Sequence, residues 1–148
     1  VINGEKIKTA NIIDSINPSE KEKIVGKVCL ASIDDASKAI ETALKASKFW
    51  RDTDINDRTK IFFNAARIMR KKKYDLMATI ILEEGKTWAE ADGDVSEAID
   101  FLNYYSQEAK KLFSYEKLLS PPGEDNVSFY QPRGVAVVVA PWNFPLAI

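Results

Sequence analysis

The sequence predicts an α/β fold, in which short edge strands precede several amphipathic helices and the first strand of a doubly wound parallel sheet. Apolar residues recur at helical spacing between residues 36 and 112. Residues 135–140 are a valine-rich run bounded by Gly134 and Pro141, which is typical of a buried parallel strand. Proline has no N–H for the next ladder bond, so this strand is expected to end at Pro141.

Short edge strands are predicted at the start of the chain. Asn3-Gly4 is a type I′ turn signal and predicts a hairpin over residues 1–7. Two further strands are predicted at residues 12–15 and 24–30, with residues 17–20 as the turn between them. These strands need a covering layer, which the following helices can supply.

The first two helices are predicted from caps and apolar periodicity. Asp34 or Asp35 is expected to cap a helix over residues 36–47. Asp54 is expected to begin the second helix, with Asp57 three residues later as in a capping box. The expected apolar face of the second helix consists of Ile61, Phe62, Ala65, Ile68 and Met69.

Two more helices follow. The third is expected to end at Gly85, a residue suited to the left-handed position after a helix, and its expected apolar residues are Tyr74, Met77, Ile80 and Ile81. Thr87 and Glu90 form a full capping box that begins a long helix, expected to reach about Leu112. Its expected core face consists of Trp88, Ala91, Val95, Ala98, Ile99, Leu102 and Ala109.

Composition argues against several classes of function. The 21 basic and 22 acidic residues leave no basic field, so nucleic acid is not an expected partner. No apolar run approaches the ~20 residues that span a bilayer, so no membrane is expected either. Without histidine, Ser-His-Asp and Cys-His relays are excluded and no metal site is expected. Cys29 is the lone cysteine, expected to be a buried structural residue, and nothing indicates an oxidising compartment.

The chain is expected to be a piece of a longer protein. It begins with Val1 rather than Met and ends on an apolar segment, residues 144–148, without a polar tail. A parallel strand at residues 135–140 would also have neither a helix after it nor a neighbouring strand within the sequence.

Asn143 is the first candidate for chemistry because it follows the predicted strand. Ligands of open α/β sheets bind outside the carboxyl ends of the strands. A side-chain amide at such a position can donate its N–H to a developing oxyanion. Asparagine after a strand is also a common turn former or helix cap, so residue type alone leaves both interpretations open.

The residues around Asn143 resemble a known family. Residues 138–146 are similar to the strand-to-loop segment of the NAD(P)-dependent aldehyde dehydrogenase superfamily, and residues 17–19, 57–58 and 83–86 resemble other elements of it. The resemblance implies an aldehyde-dehydrogenase-like fold with Asn143 as one half of the oxyanion hole. It also implies that the backbone of four residues lies along the nicotinamide ribose and pyrophosphate of NAD. These cofactor-binding residues are Val139, Ala140, Pro141 and Trp142.

Within this superfamily, residues 90–101 and 122–130 are most similar to the 1-pyrroline-5-carboxylate dehydrogenases. Their substrate carries an α-ammonium group, and in related enzymes the glutamate that matches Glu97 lies beside the substrate. A carboxylate beside aromatic rings can hold an ammonium group, although Glu97 could also be an exposed carboxylate that stabilises its helix. Phe144, next to the oxyanion donor, is either a wall of the aldehyde pocket or a core residue.

The resemblance implies NAD-dependent oxidation of L-glutamate-γ-semialdehyde to glutamate in proline catabolism, in the cytoplasm or, in a eukaryote, the mitochondrial matrix. A cysteine thiolate would attack the aldehyde, Asn143 and a backbone N–H would hold the oxyanion, and hydride would pass to NAD. A glutamate would then activate water to hydrolyse the thioester. The cysteine and that glutamate are expected outside these residues, so the chain alone is expected to be inactive.

The resemblance also suggests a domain organisation. Residues 1–116 would be the helical part of the cofactor-binding domain with its leading strands, and residues 117–132 a strand of an oligomerisation arm. Residues 133–148 would hold the first strand of the dinucleotide-binding sheet and the start of the active-site loop. The expected partners are a small-molecule aldehyde and further copies of the protein, because an exposed strand at residues 127–131 can pair by edge addition.

Two other functions remain open. One is a different aldehyde dehydrogenase, such as a succinic semialdehyde dehydrogenase. Asp94 and Glu97 argue against that alternative, because a dicarboxylate substrate would favour cations at those positions. The other is a non-enzymatic helical interaction module, which would have no need of the strand predicted at residues 135–140.

Overall fold

Four helices and two small antiparallel sheets form the chain, and the computed structural model describes residues 1–148. The mixture of helices and strands agrees with the predicted class. None of the helices combines the length and apolar character that crossing a membrane requires. The helices are α1 (Ile33–Asp52), α2 (Ile55–Lys71), α3 (Lys73–Glu84) and α4 (Trp88–Leu112), and the strands are β1 (Ile12–Ile16), β2 (Ile24–Cys29), β3 (Glu116–Lys117) and β4 (Val127–Ser128).

The leading strands agree with their predicted positions. Asn3 and Gly4 both have positive φ angles, as a type I′ turn requires, and Ile2 bridges Glu5 across them. β1 pairs with β2 in antiparallel register, with a bulge between Ser15 and Ile16. Cys29, at the end of β2, is exposed. The prediction that Cys29 is buried is therefore wrong, because the apolar side chains of this hairpin are left largely uncovered.

The turn between β1 and β2 packs on the end of α3. Asn17 is buried, and its side-chain oxygen accepts a hydrogen bond from the N–H of Ser19 at 2.9 Å. A Cβ added at Gly85 would lie 3.0 Å from Cγ of Pro18. Gly85 has φ of +70°, so the predicted left-handed end of α3 is confirmed and also allows this close approach.

The first helix is longer than predicted and begins with a different cap. The Ser32 side chain accepts a hydrogen bond from the N–H of Asp35, and the Asp35 carboxylate accepts one from the N–H of Ser32. Asp35 is therefore the third residue of the helix, and neither it nor Asp34 is the cap. The helix continues to Asp52 and has no buried residue.

The core lies where α2 and α3 pack against α4. Its buried cluster consists of Ala66, Met77, Ile80, Ala91, Val95 and Ile99. The apolar faces predicted for these helices are only partly correct: the exposed members are Ile61, Phe62, Ile68, Tyr74 and Trp88. On α2 the small residues Thr59 and Ala66 are the buried ones, because they allow close packing where larger side chains would not fit.

The strand predicted at residues 135–140 is not formed within this chain. The structure gives no strand after β4, which ends at Ser128 rather than continuing to Gln131. The side chains of Val137, Val138 and Val139 are exposed. A strand needs a partner for its N–H and C=O groups, whereas β1 pairs only with β2 and β3 only with β4.

Candidate functional site

The first turn of α4 fixes the helix from which most of the candidate site is built. The Glu90 carboxylate accepts hydrogen bonds from the N–H and the hydroxyl of Thr87, at 2.9 and 2.8 Å. In return, the Thr87 oxygen accepts the N–H of Glu90 at 3.3 Å. The hydrogen bonds from the backbone and then from the hydroxyl of Thr87 lower the pKa of Glu90, because they stabilise its charged form. The predicted capping box is confirmed.

An open groove of about 790 Å³ lies beside the N-terminal half of α4. Three of the residues predicted from the sequence, Glu97, Asn143 and Phe144, line it together. We call it the acidic groove, and its lining consists of Lys86, Glu90, Gly93, Asp94, Ser96, Glu97, Asp100, Phe101, Asn143 and Phe144. The fold thus brings Glu97 and Asn143, which lie 46 positions apart in sequence, to one surface.

The charges around the acidic groove are mostly negative. Asp94 is bound by Lys86, which leaves Glu90, Glu97 and Asp100 as carboxylates without a lysine or arginine within salt-bridge distance. Phe101 and Phe144 add aromatic surface to the same groove. Negative charge beside aromatic rings favours a ligand that carries a cationic group.

From the sequence, Asp94 is expected, like Glu97, to be a carboxylate that faces the substrate, but the structure buries it. It shares the groove with Glu97, but its side chain is only 1% exposed and both of its oxygens are engaged. Oδ2 accepts a hydrogen bond from Nζ of Lys86 at 2.6 Å, and Oδ1 accepts one from the N–H of Ala147 at 2.8 Å. Asp94 therefore has no oxygen lying free for a substrate ammonium.

The pairing of Lys86 with Asp94 is a feature that the sequence interpretation missed. The available signal was the position of Asp94 among Ala91, Val95 and Ala98, which form the buried face of α4. A carboxylate within such an apolar stripe predicts a buried charge that needs a partner.

The four residues expected to bind the cofactor lie outside the acidic groove. The side chains of Val139 and Trp142 are 89% and 81% exposed. Among backbone groups, residues 139–142 take part in no hydrogen bond within the chain. No group of three or more acidic, histidine or cysteine side chains is arranged to hold a metal ion.

Comparison with known proteins decides the family. The sequence model of the aldehyde dehydrogenase family matches residues 5–148, nearly the whole chain. The chain belongs to the aldehyde dehydrogenase family. The resemblance that the residues around Asn143 carried is thereby confirmed.

This aldehyde dehydrogenase chain is similar to curated relatives that are named 1-pyrroline-5-carboxylate dehydrogenase. It is 47% identical to the 1-pyrroline-5-carboxylate dehydrogenase of Anoxybacillus flavithermus and 45% identical to 1-pyrroline-5-carboxylate dehydrogenase 1 of Halalkalibacterium halodurans. Both matches extend over all 148 residues. The chain spans 29% of the length of each of these relatives.

Solved structures confirm the aldehyde dehydrogenase fold. Proline utilization A of Bdellovibrio bacteriovorus, inactivated by N-propargylglycine, superposes with a TM-score of 0.96 at 41% identity, over 99% of this chain and 15% of that one. The 1-pyrroline-5-carboxylate dehydrogenase from Thermus with bound NAD superposes with a TM-score of 0.93 at 44% identity, over 99% and 28%. The arrangement of elements described above is therefore that of this family.

Proposed function

We propose that the protein to which this chain belongs oxidises L-glutamate-γ-semialdehyde to glutamate with NAD, as a step of proline catabolism. One observation carries the proposal: a single groove is lined by Asn143, Phe144 and Glu97. Such a groove can receive an aldehyde at one end and an ammonium group at the other. The names of the relatives, 1-pyrroline-5-carboxylate dehydrogenases, support the same reaction.

Asn143 is proposed as the oxyanion donor. Its side chain is exposed at the edge of the groove, where the amide N–H is open to a ligand. Such a donor acts on the tetrahedral oxyanion that forms when a nucleophile attacks the aldehyde carbon. Cys29 does not line this groove, so the nucleophile is proposed to lie outside residues 1–148. We accordingly expect these residues alone to produce no NADH from NAD and glutamate semialdehyde.

Glu97 is proposed to receive the α-ammonium group of the substrate. It is an exposed carboxylate on α4, and Glu90 and Asp100 add negative charge along the same groove. Phe101 supplies an aromatic face that also attracts a cation, whereas the Phe144 ring already has Nζ of Lys86 at 5.3 Å from its centroid. Succinic semialdehyde has a carboxylate and no ammonium, so it would be repelled by this surface.

Residues 139–142 are proposed to contact NAD through their backbone. None of their backbone groups has a backbone partner within residues 1–148, and Pro141 has no N–H. NAD, when bound, supplies the hydride acceptor. The NAD-bound Thermus relative supports this choice of cofactor. The same proposal includes the division of the chain into a helical part (residues 1–116), an oligomerisation arm (117–132) and the start of the dinucleotide-binding sheet (133–148).

The test compares two substrates on the full-length enzyme, with and without the Glu97→Gln substitution. A charge-assisted hydrogen bond is worth about 1.5–3 kcal/mol, so we expect the KM for glutamate semialdehyde to rise at least about tenfold. The KM for succinic semialdehyde should stay unchanged or fall, because a repelling charge has been removed.

The matched control is Glu108→Gln, which removes a carboxylate of the same helix that pairs with Lys111 outside the acidic groove. It should leave both KM values unchanged. Preference of the unaltered enzyme for succinic semialdehyde, or an equal rise in both KM values in Glu97→Gln, would contradict the proposed function.

A further inference from the structure

The Asp94 carboxylate is buried between the acidic groove and the core. On α4 it lies among Ala91, Val95 and Ala98, all of them buried. A buried charge is costly unless it is paired and hydrogen-bonded, and an apolar side chain of similar volume would often serve stability as well. The contacts of the carboxylate should therefore explain why a charged residue lies at this position.

Both members of the Lys86–Asp94 pair contact the segment that carries Asn143. The carboxylate accepts the N–H of Ala147 at 2.8 Å while it holds Nζ of Lys86 at 2.6 Å. The same Nζ lies 5.3 Å from the ring centroid of Phe144, within the range of a cation–π contact. The pair thus holds this segment at two points, one and four residues after Asn143.

Within residues 1–148, few other directional contacts tie this segment to the helices. No backbone hydrogen bond outside the helices and strands involves residues 129–148. Leu146 packs against the core cluster and Ala147 is buried, but apolar contacts of this kind are non-directional. The charged hydrogen bonds of Asp94 supply the missing direction.

Building on the proposed function, we infer that Lys86 and Asp94 are positioning residues whose ion pair fixes residues 144–147 to α4 and thereby places the Asn143 amide relative to Glu97. They act through Asn143 and not on the aldehyde itself. A misplacement of about 1 Å can cost on the order of 100-fold in rate, so an oxyanion donor needs a fixed position. The Asp94 side chain is 1% exposed and both of its oxygens accept hydrogen bonds, which fixes the orientation of the carboxylate.

The test uses the full-length enzyme with NAD and uncharged short aldehydes such as propanal. Asp94→Asn removes the charge and keeps an acceptor for Ala147, whereas Lys86→Met keeps the hydrogen bond to Ala147 and removes the cation. We expect each to lower kcat about ten- to hundredfold, with a smaller change in the KM for NAD. Lys86→Arg should recover most of the rate, because it restores the charge.

The matched control is Asp92→Asn. Asp92 accepts Nζ of Lys73 at 2.5 Å, so this pair also joins α3 to α4, but neither residue lines the acidic groove. Loss of a partly exposed pair of this kind has a small effect on stability, and kcat should stay within about twofold of the unaltered enzyme.

A double-mutant cycle with Asn143→Ala separates positioning from stability. Once the amide is gone, Asp94→Asn should lower kcat by less than about twofold further, because the group that it places is absent. An equal loss in both backgrounds, or an unchanged kcat in both Asp94→Asn and Lys86→Met, would overturn the inference. If Asp94→Asn does not fold, Lys86→Gln, whose amide can still donate a hydrogen bond to the buried carboxylate, makes the same comparison in the two backgrounds.

The two proposals fail separately in this design. Propanal has no ammonium group, so the outcome of the cycle does not depend on Glu97 or on the natural substrate. Failure of the unaltered enzyme to oxidise glutamate semialdehyde would contradict the proposed function and leave the positioning test intact.

Discussion

At the scale of single residues, the Glu90 carboxylate makes the stability of the start of α4 depend on pH. Its carboxylate is bound by the N–H and hydroxyl of Thr87, which lower its pKa from the ordinary 4.5. The folded chain therefore holds the Glu90 proton less tightly than the unfolded chain does. The resulting stabilisation is present above pH 4.5 and is lost as the pH falls through the lowered pKa. Asp35 behaves in the same way at the start of α1.

Glu90→Gln tests this coupling because glutamine fits the same position of a capping box but does not titrate in this range. We expect the unfolding midpoint of the variant to depend less steeply on pH below 4.5 than that of the unaltered chain. Urea unfolding at a series of acid pH values measures this slope. The control is Glu41→Gln, which removes an exposed carboxylate within α1 that takes no part in a helix cap. Identical slopes in Glu90→Gln and the unaltered chain would contradict the assignment.

At the scale of elements, the glycines at the end of α3 and within α4 have opposite effects on stability. Gly85 ends α3 with φ of +70°, and a Cβ there would meet Pro18 at 3.0 Å. Gly93 lies within α4, and a Cβ there would have no atom within 4 Å. The first glycine is required by the backbone, while the second weakens a regular helix.

Alanine at each position should therefore change stability in opposite directions. Gly85→Ala should lower the free energy of unfolding by about 1–2 kcal/mol, since an L-residue is strained in the left-handed region. Gly93→Ala should raise it by about 0.5–1 kcal/mol, because alanine is the better helix former. Chemical denaturation of the two variants beside the unaltered protein gives both values. A rise in both would show that the end of α3 tolerates a side chain, and a fall in both would contradict the role given to Gly93.

Elements that depend on nearby residues could be predicted from the sequence, and elements that depend on remote partners could not. The end of α3 at Gly85, the Thr87 cap and the end of α4 at Leu112 were predicted correctly, because they depend on residues a few positions apart. The strand at residues 135–140 depends on partners remote in sequence, and none lies beside it within the chain. For the candidate site, the motif located Asn143, Phe144 and Glu97, which line one groove, but pattern alone could not reveal what the buried Asp94 binds.

At the scale of the whole molecule, the buried core is small for the amount of apolar side chain present. Only 12 of the 148 residues are buried, whereas Phe49 of α1 and the valines at 137–139 are largely exposed. Exposed apolar surface of this extent marks interaction sites. Because the chain spans 29% of its relatives' length, we propose that other parts of a longer protein cover much of this surface, and that further copies cover the rest.

The part assigned to further copies is the hairpin of β3 and β4, proposed above as an arm. β4 pairs with β3 along one edge only, which leaves its other edge open to a strand of another subunit. Tyr130 follows β4 and is 62% exposed, and Phe129 beside it is 53% exposed and packs on the ring of Tyr115, at 5.7 Å between centroids. A closed oligomer would bury these aromatic side chains, so we expect the full-length enzyme to be at least a dimer.

Tyr130→Asp should dissociate that assembly by placing a charge in the apolar contact, and sedimentation at micromolar concentration measures the change. Tyr74→Asp is the matched control, because Tyr74 is 79% exposed on α3, away from the hairpin. The control should retain the sedimentation coefficient of the unaltered enzyme. A stable monomer of the unaltered enzyme would contradict the proposed arm, and so would equal dissociation by both substitutions. Dissociation by Tyr130→Asp alone would support contact between subunits through residues 127–131.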